Sequence, residues 1–372
     1  MKCIICGSNR LPVSFSLEVC RECILKNPEQ ALNHIIPRHN LLRSRLGESK
    51  LDSKVGLTCQ GCGNQCKISP GETGVCGLFK NENNKITRLA GSPRKGLLDY
   101  YYDPLPTNCV ADFVCPAGTG CGYPEYANTP GPEYGFYNLA VFYRGCNYSC
   151  LFCQNWHHRP TVSEAKYLSA EELAGKVSEK VSCICFFGGD PSPQLPHSIA
   201  VSRLAVDKAE REKRILRVCW ETNGGMARPL LKTILKIALK TGGIVKFDLK
   251  FYSDSLNIAL CGVSNKTTLA NFKYAAEMFK QRPQPPLIVA STPLIPGYTS
   301  TQEIKKIAEL IANVNPNIPY RLLAFTPHFQ MTDLPSTSRQ HALDCLKTAE
   351  ETGCQHVQIG NYPHLSTSKY EY

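Results

Sequence analysis

An α/β fold, with a parallel sheet opened into a partial barrel and preceded by cysteine-rich modules, is predicted by three observations. From residue 137 onward, short apolar runs alternate with amphipathic stretches of helical length, which implies βα units. Six or seven such units are present, too few to close an eight-stranded barrel. Cysteine pairs at metal-ligand spacing crowd the first 76 residues.

Composition narrows the function. A chain of 372 residues can hold one large domain with smaller modules, and its 42% hydrophobic and 20% charged content is that of a globular protein. The net charge is +11, but Lys and Arg are dispersed, as on a solvated basic surface, so a nucleic-acid partner is not indicated. Twenty cysteines grouped as C-x-x-C, with no apolar run of signal length after Met1, point to metal in a reducing compartment. A cytoplasmic location is expected, and no stretch is apolar enough for a membrane span.

Residues 1–50 are expected to form a zinc-ribbon-like module and linker. Cys3-x-x-Cys6 and Cys20-x-x-Cys23 let four thiolates converge tetrahedrally, and four thiolates leave no open position, so a structural zinc is expected. Ala31, Leu32, Ile35 and Ile36 recur with helical period inside 28–45, a short helix plus linker.

Residues 51–136 are expected to form a second cysteine-rich metal-binding and extended segment. Cys59, Cys62, Cys66 and Cys76 are spaced for zinc or for an auxiliary iron–sulfur cluster, and spacing does not decide between them. Residues 100–132 are rich in Pro, Gly and Tyr, which disfavours regular helix. This stretch is expected to lie extended over the barrel mouth, with Cys109, Cys115 and Cys121 as small buried hydrophobes.

Residues 137–372 are expected to form the barrel. Strands are predicted at 138–143, 183–187, 215–220, 244–248, 287–291, 320–324 and 355–359. Helices are predicted at 169–181, opened by the capping box of Ser169 and Glu172, and at 228–240, 266–279, 301–314 and 337–352.

In such a fold the chemistry sits at the C-terminal strand ends. The first strand runs into F-Y-R-G-C-N-Y-S-C-L-F-C-Q-N-W, where Cys146, Cys150 and Cys153 can aim three thiolates at one 4Fe-4S cluster. The loop has no fourth cysteine, so one iron would remain open to a ligand, with Phe152 covering the cluster from water. A zinc site, or three unrelated core cysteines, is the alternative. The second strand ends on Gly188-Gly189-Asp190, where glycines admit close backbone approach to a ligand and the carboxylate can accept from an ammonium group. The third ends on Glu221-Thr222-Asn223, suited to ribose hydroxyls and an amino-acid carboxylate, or else to capping the next helix. The fourth ends on Asp248-x-Lys250, the fifth on S-T-P-L-I-P-G-Y with its rigid turn, and the sixth precedes His328.

C-x-x-x-C-x-x-C followed by N-W resembles the cluster loop of the radical S-adenosylmethionine (radical SAM) enzymes, and more narrowly of the branch related to the pyruvate formate-lyase activating enzymes. Five elements over residues 137–361 follow that family's order. The resemblance implies an oxidoreductase-type enzyme in which a 4Fe-4S cluster on Cys146, Cys150 and Cys153 chelates S-adenosyl-L-methionine through its amino and carboxylate groups. It cleaves that cofactor to methionine and a 5′-deoxyadenosyl radical. Gly188, Gly189 and Asp190 are similar to the family's G-G-E, with Asp in place of Glu, and would hold the amino group. Thr222-Asn223-Gly224 resembles T-N-G, and Asp248 and Lys250 match D-L-K, which contacts the nucleoside. The turn at 291–298 would shape the adenine site, and His328 would lie near the methionine moiety. An electron donor such as flavodoxin or ferredoxin is implied. So is a glycyl-radical protein as substrate, with another protein or a small molecule as the alternative. A non-catalytic metal module contacting nucleic acid would need basic and aromatic residues interleaved between the first knuckles. The text there, G-S-N-R-L-P-V-S-F-S-L-E-V, holds one Arg and one Phe, which argues against it.

Overall fold

The computed structural model describes residues 1–51, 53–159 and 166–370. In chain order the first part holds α1 (Arg21–Lys26), α2 (Pro28–Arg45), β1 (Leu57–Thr58), β2 (Lys67–Ile68), β3 (Phe79–Glu82) and β4 (Lys85–Arg88). Then come β5 (Gly96–Pro104), the one-turn α3 (Pro116–Thr119), β6 (Tyr137–Tyr143), β7 (Tyr167–Leu168), α4 (Ala170–Ala174) and β8 (Val181–Gly188). The remainder is α5 (Leu195–Arg211), β9 (Arg217–Thr222), α6 (Arg228–Thr241), β10 (Val245–Asp248), α7 (Asp254–Cys261) and α8 (Lys266–Glu277), followed by β11 (Ile288–Leu294), α9 (Thr301–Ala312), β12 (Tyr320–Ala324), α10 (Arg339–Glu351) and β13 (Val357–Gly360).

A nine-stranded sheet in the order β13-β12-β11-β10-β9-β8-β6-β5-β7 organises the molecule. Strands β6 and β8 to β13 are parallel, each joined to its neighbour by helix-bearing connections. Side-chain alternation divides each strand between two environments. Leu139, Val141, Ile184, Phe186, Val218, Trp220, Val245, Phe247, Ile288 and Leu322 face the helices and make the main core. Cys183, Cys185, Cys219 and Val289 face the other way, into a smaller interior cluster.

All the expected strands occur, displaced by a few residues at their ends, and the Ser169–Glu172 capping box is formed. The helix expected over 169–181 stops at Ala174, where the chain turns at Gly175. Helices α5 and α7 were not expected. Neither was β5, which pairs antiparallel with β6 along its whole length, although three consecutive tyrosines hide any alternation in its sequence. Helix α2 runs unbroken to Arg45 despite Pro37, so the expected linker within 28–45 is helix.

One placement differs in kind. Residues 105–133 do not lie over the mouth of the sheet but plug its opposite end, against the starts of the strands. Cys109, Ala111 and Cys115 pack on Cys183, Cys185, Cys219, Ile244 and Val289. The cause is electrostatic, because Arg217 and Arg321 begin β9 and β12 as inward-facing cations that need partners. Glu133 takes Arg217 Nη1 at 2.8 Å, and Asp112 takes Arg321 Nη1 at 2.7 Å.

The N-terminal parts are docked on the sheet's other end. Arg43 of α2, 1% exposed, donates to Ser149 Oγ at 3.1 Å and to the carbonyl of Val75 at 2.9 Å, and pairs with Glu48. His39 bonds the Ala259 carbonyl of α7 at 2.8 Å, and Tyr298 Oη accepts from the Ser14 amide at 3.1 Å.

Glu133 and Arg217 are both fully enclosed, so Glu133→Ala would strand a buried guanidinium. The expected loss is about 3–5 kcal/mol of unfolding free energy. Denaturant titration of variant and wild type measures it, and a change below about 0.5 kcal/mol, usual for surface sites, would contradict the role given to this pair.

Candidate functional site

Strand β6 delivers the cysteine loop, and the loop is held on every side. Asn147 Nδ2 donates to the Gly225 carbonyl (3.2 Å), Tyr148 Oη shares a hydrogen bond with Thr268 Oγ1 (2.7 Å), and the amides of Ser149 and Leu151 donate to the carbonyls of Cys261 (2.8 Å) and Leu260 (2.9 Å) at the end of α7. Gly63 donates to Gly225 at 2.9 Å, so the second cysteine module touches the same rim.

The loop opens on a cavity of about 200 Å³. Cys146, Cys150 and Cys153 line it together with Gly188, Gly189, Asp190, Glu221, Thr222, Asn223, Asp248 and Lys250, contributed by four strand ends. Burial pushes the Cys146 and Cys153 thiols up, the latter to about 11, and neighbouring thiols add to it. Cys150 goes the other way: against its burial, a hydrogen bond with Cys261 and the Lys250 and Arg159 cations hold its thiol down.

Asp190 is the hub. Its carboxylate, 4% exposed, accepts from the Ser192 amide (2.8 Å), the Thr222 hydroxyl (3.0 Å) and the Asn223 amide (2.6 Å). Asn223 Nδ2 then donates to Asn147 Oδ1 at 2.7 Å, and so ties the second and third strand ends to the cysteine loop. The two glycines before Asp190 serve this closeness. Gly188 has φ +114°, and a Cβ on Gly189 would lie 2.3 Å from the Gly145 carbonyl and 2.8 Å from the His158 ring. Their missing side chains admit β6 and His158, and both glycines also line the cavity, where close approach to a ligand is expected. Thr222 and Asn223 do not cap the following helix, whose N-cap is Ala227; they accept from Gly224 and Gly225 in a turn.

Asp248 and Lys250 form an ion pair at the rim, and Asp248 Oδ1, on a residue that lines the cavity, is buried with no partner. Lys250 also lies over the Phe152 ring at 5.4 Å. From the fifth strand Pro293 reaches the cavity, while the turn beyond it holds the N-terminal part through Tyr298. His328 is not among the cavity's lining residues; its Nδ1 is engaged with Thr326.

His158 is the residue that sequence reasoning missed. It lines the cavity with 4% exposure, and its Nδ1 has no partner. It follows the third cysteine in W-H-H-R, and no period in the sequence distinguishes it from exposed His157.

At the N-terminus the sulfurs of Cys3, Cys6, Cys20 and Cys23 lie within 4.8 Å of one another, a set that fits a single tetrahedral metal ion. The cysteines come from a turn and from the start of α1, with Cys20 at the N-cap. Cys59, Cys62, Cys66 and Cys76 form no such compact group among the described residues.

Residues 140–311 match the family model described as the radical SAM superfamily. Over 339 residues the chain is 23% identical to an uncharacterized protein of Methanocaldococcus jannaschii, covering 87% of this chain and 86% of that one. A second protein of that organism, provisionally named a glycyl-radical enzyme activating enzyme, is 28% identical over 194 residues, 50% of this chain and 66% of its own. Pyruvate formate-lyase 1-activating enzyme of Escherichia coli K12 is 29% identical over 141 residues, 37% of this chain and 54% of its own, so the chain spans about half that enzyme's length.

Burial, and then the Arg159 guanidinium, hold the His158 imidazole neutral down to about pH 3, against 6.5 for an exposed one. A base with a depressed folded pKa gives stability that is whole above pH 6.5 and is lost as pH falls toward 3, because the unfolded chain binds the proton first. Between pH 7 and pH 4 the wild type should lose on the order of 3 kcal/mol more unfolding free energy than His158→Gln. Parallel pH profiles for the two proteins would exclude a neutral buried His158.

Proposed function

Residues 140–311 are a radical SAM domain related to the pyruvate formate-lyase activating enzymes, and on that premise we propose that the chain reductively cleaves S-adenosylmethionine and uses the product radical to abstract hydrogen from a substrate. The observation that supports this most directly is the convergence of Cys146, Cys150 and Cys153 with the polar rim of three further strand ends on one cavity. Three thiols without a fourth, an orphaned Asp248 oxygen and a neutral unpartnered His158 fit a 4Fe-4S cluster and a polar cofactor beside it. When bound, the cluster supplies the electron that splits S-adenosylmethionine into methionine and a 5′-deoxyadenosyl radical.

The chain's own residues bind and orient. Asp190 acts through the rim it organises, fixing Thr222 and Asn223. Gly188, Gly189 and Asp190 make the amino-group pocket, and Glu221, Thr222 and Asn223 offer acceptors and an amide to ribose hydroxyls and a carboxylate. Asp248 accepts from the nucleoside through its free oxygen, with Lys250 holding the carboxylate in place. Phe152, 5% exposed, excludes water. His328, in the segment after β12, is the methionine-side residue of this reading, although it does not line the cavity.

The hydrogen donor in this reading is a glycine Cα of a glycyl-radical protein, and the electron comes from a flavodoxin or ferredoxin; the support is that one relative is provisionally named a glycyl-radical enzyme activating enzyme and another is named a pyruvate formate-lyase activating enzyme. The sheet, curled as a partial barrel over residues 137–372, carries the chemistry. Residues 1–50 are a zinc-bearing module on Cys3, Cys6, Cys20 and Cys23, and residues 51–136 bring a zinc or auxiliary cluster on Cys59, Cys62, Cys66 and Cys76. No helix among the described residues is long and apolar enough to cross a membrane, which accords with action in the cytoplasm.

Anaerobically reconstituted, dithionite-reduced protein should release 5′-deoxyadenosine and methionine without added substrate. Asp248→Ala removes no iron ligand and should leave the cluster spectrum intact while lowering release on the order of 100-fold, the cost of a misplaced cofactor. No 5′-deoxyadenosine from fully loaded wild type would end this reading.

The N-terminal metal is checked separately in the full chain, since α2 is docked on α7 and the cysteine loop. Elemental analysis should find a zinc that Cys20→Ser with Cys23→Ser removes, leaving the iron content unchanged. Loss of iron alone would reassign the site.

A further inference from the structure

A second cavity of about 200 Å³ lies inside the sheet, between the plug and the cofactor site, and five thiols face it. Cys183 and Cys185 are two apart on β8 and therefore share its inner face, and Cys185 is the register partner of Cys219 on β9. Cys109 and Cys115 come from the plug. The sulfurs of Cys183 and Cys219 are 3.9 Å apart.

Lys246 of β10, 2% exposed, enters the same group. Its ammonium lies 3.0 Å from Cys109 Sγ, 3.2 Å from Cys185 Sγ and 3.4 Å from a Glu221 carboxylate oxygen. Cysteines alone would pass for small hydrophobes in a core. A buried ammonium whose two shortest contacts are to sulfur does not, because the Glu221 carboxylate at 3.4 Å offsets only part of the charge and a neutral thiol is a weak acceptor that repays little of the cost of burying the rest. Sulfurs that carry negative charge repay it.

We propose that Cys109, Cys183, Cys185 and Cys219 ligate a second iron–sulfur cluster in this chamber, with Cys115 at its wall and Lys246 offsetting its negative charge. A polynuclear occupant is indicated by the set as a whole: Cys183 and Cys219 are as close as two thiolates on one iron, but the four do not draw together around one point. Among the described residues only the N-terminal four sulfurs draw together as one tetrahedral ion requires. The chamber thiols, like Cys146, Cys150 and Cys153, stand around an open space instead. Four thiolates leave no open iron, so this centre differs from the one in the cysteine loop in having no position for S-adenosylmethionine. The two cavities share Asn155, Phe187 and Glu221 as walls, which puts the chamber one side-chain layer from the cofactor site.

The test uses the full chain reconstituted anaerobically with ferrous iron and sulfide. In a background of Cys146→Ala, Cys150→Ala and Cys153→Ala, iron and acid-labile sulfide should remain. Adding Cys109→Ala, Cys185→Ala and Cys219→Ala should then remove one further cluster's content of both. Any iron on Cys59, Cys62, Cys66 and Cys76 is common to the two proteins and cancels in the difference. Equal iron and sulfide in the two would overturn the proposal. Should the combined variant fail to fold, Cys109→Ser alone decides, since that residue lies on the plug and not in the sheet. In the same background its paramagnetic resonance signal after dithionite reduction should change shape or vanish, and an unchanged signal would overturn the proposal. The outcome is independent of 5′-deoxyadenosine release, which reads the other cavity.

Discussion

The Asp190 carboxylate, taken almost wholly out of water, is stabilised by three protein donors: the Ser192 and Asn223 amides and the Thr222 hydroxyl. Those donors lie on two successive strand ends, and one of them, Asn223, goes on to hold Asn147 in the cysteine loop. A single desolvated charge thus fixes the separation between the polar rim and the three thiols, which neither strand nor loop determines alone. It can sit there only because two glycines let the end of β8 press against β6 and His158. The polar atoms left without partners, Asp248 Oδ1 and His158 Nδ1, belong to two residues that line the cavity.

Much of this was legible in the sequence because it is local. The alternation of apolar runs and amphipathic stretches gave β6 and β8 to β13, and the cysteines, Gly-Gly-Asp, Glu-Thr-Asn and Asp-x-Lys fall at strand ends as expected. What escaped is nonlocal. Strand β5 is stabilised by β6 and has no pattern of its own, and the plug's position depends on Glu133 meeting Arg217 across 84 residues. The glycines' second purpose escaped for the same reason, since only the folded chain reveals that their neighbours are Tyr143, Gly145 and His158 as well as the cavity. His328 was placed by its position after a strand end, yet it turns to Thr326 and lines no part of the cavity.

Cysteine does different work at each place it accumulates, and geometry separates the uses better than spacing along the chain. The N-terminal knuckles bring four sulfurs nearly to a point. The loop after β6 arrays three around a void with polar neighbours, and buried Cys345 and Cys354 simply pack in the core among aliphatic side chains. The C-x-x-C pattern alone would have counted the first two together.

Arg43 joins three parts of the chain at once, with α2 behind it, Ser149 of the cysteine loop on one side and Val75 of the second cysteine module on the other. Domains that are exchanged freely between proteins usually meet through polar, water-tolerant surfaces that can be remade piecemeal. Removing the second module alone would take away the Val75 carbonyl and leave an enclosed guanidinium short of an acceptor, whereas removing residues 1–50 would take away Arg43 itself and leave Ser149 without its donor. A disturbance in either N-terminal part is therefore transmitted to the cysteine loop through one enclosed guanidinium.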